Sequence, residues 1–97
     1  MQFKMHNQKY NVQNLVREIG YKPLGYTPQG ELNCVKRLGA DYPRFHIYLK
    51  ESPEILTFNI HLDQKKPVYE GSTAHGGDYD SDTLRAEVQR IQDILFR

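Results

Sequence analysis

Two histidines and one aspartate in the middle of the chain are the residues best equipped for chemistry. His61 and Asp63 are two positions apart in ILTFNIHLD, and His46 lies in RFHIYLK. Alternate residues of an extended strand leave the same face, about 6.5–7 Å apart along the backbone. An imidazole titrates near neutral pH and can act as a general acid or base, with a carboxylate to orient it. His46, His61 and Asp63 are therefore the candidate catalytic set. With His75 from the Gly-rich segment downstream, the same residues make two or three imidazoles and one carboxylate. Such a ligand set suits a divalent metal, zinc or manganese. That is an alternative reading, because the spacing matches no zinc signature; on the first reading no cofactor is needed. A solvated polar sheet face carrying incidental histidines fits the same residues.

Groups that could hold a substrate lie close by in sequence. Lys65-Lys66-Pro67 runs on to Tyr69, and the two lysines could hold a phosphate or carboxylate while a histidine moves protons. Tyr48 and Asn59 fall on the histidine face by strand alternation. Gly71 to Gly77 (GSTAHGG) allows close backbone approach to an anion but lacks the spacing of a P-loop. Cys34 has no neighbouring motif and reads as a small strand residue.

Positioning these groups falls to a short list of elements. Asn11 to Ile19 reads as a helix: Val12, Leu15, Val16 and Ile19 make one apolar stripe, Asn11 caps it and Gly20 ends it. Met1 to Tyr10 is either a short strand or a loose tail. Tyr21 to Gly30 carries turn residues and room for one short extended piece. Strands are predicted over Glu31–Leu38, Arg44–Lys50 and Ile55–Asp63. A four-residue turn at Glu51-Ser52-Pro53-Glu54 would set His46 opposite Asn59, Tyr48 opposite Thr57 and His61 opposite Arg44. Gln64 to Tyr79 reads as a loop of about 16 residues, a length that marks functional or mobile segments. Asp80 to Arg97 reads as a second helix with Leu84, Val88, Ile91 and Leu95 on one side. The expected fold is a single α+β domain, αβββα. Two helices cover one face of a three-stranded antiparallel meander.

Composition narrows the class. The chain has 97 residues, a formal net charge of +1 and one cysteine. One domain is expected, without an internal disulfide. No apolar run approaches the roughly 20 residues of a membrane helix, and MQFKMHNQKY has no apolar signal region. A cytoplasmic protein without a membrane partner is the expectation. Charge is uneven: residues 1–50 carry eight Lys/Arg and three Asp/Glu, residues 51–97 five and nine.

Element order, with Leu15 to Tyr21 (LVREIGY) at the first helix end and Thr83-Leu84-Arg85 opening the last, resembles the double-stranded-RNA-binding fold. Within that fold it resembles the HicA-like family of small RNA-cleaving toxins. The family carries one functional histidine in its sheet; His46 is the nearest counterpart, though Pro43 stands where the family has Gly-Ser before it. The resemblance implies a small RNA-binding or RNA-cleaving domain. The rival expectations are a metal-binding module or metal-dependent hydrolase, and a non-enzymatic interaction module. The last would recruit a protein partner, or a second copy as a homodimer, through a strand edge.

Overall fold

The computed structural model describes residues 1–9, 11–64 and 82–96. The order is β1 (Gln2–His6), α1 (Val12–Glu18), β2 (Lys22–Tyr26), β3 (Leu32–Arg37), β4 (Arg44–Glu51), β5 (Ile55–Asp63) and α2 (Asp82–Leu95). The five strands form one antiparallel sheet in the order β1-β5-β4-β3-β2. This corrects the expected αβββα fold: the sheet has five strands, not three. The meander of β3, β4 and β5 is present, but each of its outer strands gains a partner, β1 on β5 and β2 on β3.

The reason is polar satisfaction. A nine-residue β5 left at an edge would expose a full row of backbone N–H and C=O groups. β1 pairs with it from Gln2 opposite Asn59 to His6 opposite Ile55. β2 is only five residues and contains Pro23 and Gly25, residues that weaken a central strand. At an edge they are tolerated, and a register shift between Pro23 and Gly25 absorbs the misfit.

Alternation decides what each face buries. Leu32 and Cys34 of β3, Phe45, Ile47 and Leu49 of β4, and Leu56, Phe58, Ile60 and Leu62 of β5 point to one side. They join Met5, four residues of the first helical stretch (Val12, Leu15, Val16, Ile19), and Leu84 and Ile91 of α2 in one core. Both helices therefore lie on one side of the sheet, as expected. Each fully buried Leu, Ile or Phe contributes about 1.5–3 kcal/mol, and this side holds almost all of them.

α1 is seven residues, too short to persist alone. Asn11 caps it by accepting from the Asn14 N–H at 3.1 Å. Gly20 closes it at φ +93°, a conformation that disfavours other residues. Tyr21, buried just beyond, donates its hydroxyl to Glu87 of α2 at 2.6 Å. Arg90 donates to both Glu87 oxygens at 2.8 Å, and to the Ile19 carbonyl at 2.6 Å. Glu87 sits within the apolar stripe of α2, where a lone charge would be costly, and these donors satisfy it.

The β4–β5 hairpin is tighter than expected. Ser52 N–H donates to Ile55 O at 2.9 Å, and the Ser52 hydroxyl accepts from Ile55 N–H at 3.2 Å. Pro53 and Glu54 alone form the tip. Pairing thus begins at Glu51 opposite Leu56 and runs two places out of the expected register. A shift of two keeps every side chain on its predicted face, but it changes each cross-strand neighbour. The proposed caps Asp80 and Ser81, the helix end Arg97, and the loop beyond Gln64 lie outside the described residues.

Candidate functional site

The face away from the helices carries the candidate site, and the corrected register assembles it. His46 lies directly opposite His61, Arg44 opposite Asp63, and Tyr48 opposite Asn59. On the other side of β4, His46 is opposite Val35 and Tyr48 opposite Asn33. His46, expected opposite Asn59, is instead paired with the second histidine. His61, expected opposite Arg44, gives that place to Asp63.

Side-chain bonds follow the ladder. His46 Nδ1 is 3.1 Å from Asp63 Oδ2, and Arg44 Nε donates to the same oxygen at 3.3 Å. His46 Nε2 is hydrogen-bonded to the Asn33 side-chain amide. With Asn33 Oδ1 turned to it, the ring donates from both nitrogens and is imidazolium. With the amide turned over, Asn33 donates to a neutral ring. In either arrangement both nitrogens of His46 are engaged within the protein. Its side chain is 12% exposed, against 26% for Asp63 and 18% for Arg44. The hydrogen bond from His46 holds the Asp63 carboxyl below its ordinary pKa. Partial burial opposes this, and the positive field of His46 and Arg44 adds to it.

Tyr48 connects the two histidines. Its ring lies 4.6 Å from that of His46, tilted by 32°, and 6.0 Å from that of His61, edge-on. Arg44 also stacks on Tyr42, with its guanidinium carbon 4.7 Å from the ring centre. The result is a row of aromatic and imidazole rings across the middle of the sheet, with Asn33, Asn59 and Thr57 half-buried around it.

Charge on this face is one-sided. Along the paired strands it carries Lys4, Lys22, Arg37, Arg44 and Lys50 against Asp63. Lys4 and Lys50 both flank Thr57, one from each side. All five cations belong to residues 1–50, so the charge excess of that half has a place in the fold. Arg37 is paired with Asp41, 3.5 Å away at the exposed turn.

Of the candidate catalytic residues, His46 and Asp63 are in contact, and His61 joins them through Tyr48. Among the described residues no group of three or more His, Cys, Asp or Glu is gathered so as to hold a metal ion. Asp63 is instead taken up by His46 and Arg44. Lys65, Lys66, Tyr69 and His75 lie outside the described residues. Asn33 and Arg44 were not among the expected site residues. Their signal was strand parity, since Asn33 shares a face with Val35 and Arg37, and Arg44 with His46. Cys34 is buried on the opposite side, where burial pushes its thiol up to about 12. No helix is long and apolar enough to cross a membrane, among the described residues.

No family model, curated protein or solved structure matches this chain.

Proposed function

We propose that the polar sheet face binds single-stranded RNA, with the bases on the ring row and the phosphates over the flanking cations. The observation that carries this is the pairing of Tyr48, His46 and His61 at the centre of the face with five Lys/Arg against one acid along the strands. Aromatic rings on an open sheet accept unstacked bases, and each stacked base contributes about 1–3 kcal/mol. Lys4 and Lys50 beside Thr57, and Lys22 beside Val35, are spaced to track a backbone across the strands. Binding fits this geometry better than cleavage by His46, because both of its ring nitrogens already have partners.

The test is fluorescence anisotropy with a labelled ten-nucleotide single-stranded RNA at low salt, against the duplex of the same sequence. Saturable binding that favours the single strand is expected, with Tyr48→Ala weakening it about tenfold or more. No saturation at tens of micromolar protein, or equal affinity for the duplex, would overturn the reading.

A further inference from the structure

Among the described residues no strand covers the outer edge of β1, and a cleft with a mixed polar and apolar lining lies beside it. Met1 and Ile60 exchange both backbone hydrogen bonds, at 3.0 and 2.7 Å, and Asn7 N–H donates to Glu54 O at 2.8 Å. Odd-numbered residues of β1 therefore spend their backbone groups on β5. The N–H and C=O groups of Gln2, Lys4 and His6 point the other way. Among the described residues no strand pairs with that side. The opposite edge, β2, is blunted by Pro23 and its register shift; β1 has neither device. On the helix side, Met5 lines a cleft of about 370 Å³ together with Leu15, Ile94 and Leu95, and with Asn11, Asn14 and Glu18 on its polar wall.

The strand that fits here is not a second copy of β1. Only one antiparallel register of β1 on itself overlaps all five residues with outward groups facing each other. It sets Lys4 opposite Lys4 of the other copy, and like charges directly opposite are destabilising. The same lysine, exposed on the edge, favours an acidic neighbour.

We infer that β1 docks an extended peptide of another protein with an apolar–acidic–apolar core, as an added sixth strand. The acidic side chain lies beside Lys4 on the polar face. Its two apolar neighbours fall on the helix side, one beside Phe3 and one beside Met5 at the cleft. The Phe3 ring is already stacked on Phe58 with centres 4.6 Å apart, so it offers a fixed surface. Backbone bonds to Gln2, Lys4 and His6 supply affinity, and alternate side chains supply selection.

Two end-capped, labelled peptides test this by anisotropy: Thr-Val-Glu-Val-Thr and Thr-Val-Lys-Val-Thr. The glutamate peptide binds saturably and about tenfold more tightly than the lysine peptide, and Lys4→Glu inverts that order. Lys4 is exposed, and the melting temperature of the variant checks that it folds. Leu95→Trp, which fills the cleft, weakens the glutamate peptide without changing its preference over the lysine one. No saturation up to millimolar peptide, or equal affinity for the two peptides, overturns the inference. So does a dimer in light scattering that the glutamate peptide fails to dissociate.

Discussion

Asp63 is the residue on which the polar site turns, because it accepts from both His46 and Arg44. Asp63→Asn keeps the shape but removes the charge, and should cost about 1–2 kcal/mol at pH 7. The folded-state pKa of Asp63 lies below its ordinary 3.8. A depressed carboxyl stabilises the fold above its unfolded pKa, and that stability is lost as pH falls through the folded value. The gap between wild type and Asp63→Asn should thus be constant above about pH 5 and close in acid. Urea unfolding midpoints for both proteins from pH 7 to 2 measure this; a gap that widens in acid would contradict it. Cys34 gives a second residue-level expectation. It is fully buried and its thiol is pushed up to about 12, so a disulfide reagent at pH 8 should react only on the timescale of unfolding. Fast labelling of the folded protein would show an opening at β3.

At the scale of elements, the contact between the end of α1 and the middle of α2 rests on Tyr21, Glu87 and Arg90. Tyr21→Phe removes one short hydrogen bond to a buried carboxylate and should cost about 1–2 kcal/mol. Glu87→Ala should cost more, about 3 kcal/mol, since it strands the Tyr21 hydroxyl and frees Arg90 from its partner. Chemical denaturation of both variants orders the two losses. Burial, aided by the Glu87 bond and charge, pushes the Tyr21 phenol far above its ordinary 10.0. A raised pKa stabilises the fold below the unfolded value, so stability should fall as pH rises past about 10. β1 is a separate test. Its Phe3 and Met5 complete the core from the sheet edge. Phe58→Ala, at a fully buried residue of β5, should cost about 3–5 kcal/mol. Phe3→Ala should cost less, as the ring is only partly buried.

Across the whole molecule, the fold separates the proposed binding face from the helix-covered core. The helices cover one face, and the cluster they bury shares no residue with the charged face, although Val35 is fully buried on the charged side. The proposed binding of single-stranded RNA by five cations should weaken with salt, with a log–log slope between about −2 and −3.5. Removing Lys4 and Lys50 together should lower the slope by about one unit, while the core keeps its stability. Titrations between 50 and 300 mM salt measure both slopes, and a flat response would remove the phosphate contacts from the account.

What the sequence determined by itself was local and periodic. Alternation in RFHIYLK and ILTFNIHLD gave β4 and β5, and put His46, Tyr48, His61 and Asp63 on one face. A period of about 3.6 gave both helices, and Asn11 and Gly20 gave the ends of the first. Each of these follows from side-chain geometry within a few residues. β1 was harder: Phe3 and Met5 alternate with Gln2, Lys4 and His6, but five residues do not separate a strand from a tail. β2 was hidden by Pro23 and Gly25, whose cost is lifted only by its place at an edge. The same limit applied at the hairpin. Parity of face is read from the pattern, whereas register depends on how Ser52 closes the turn, and a slip of two leaves the pattern unchanged. Only the tertiary structure could therefore set His46 opposite His61 and give Asp63 to Arg44. Those pairings lie 15 and 19 residues apart in the chain, and backbone hydrogen bonds between strands, not side-chain preference along one strand, decide them.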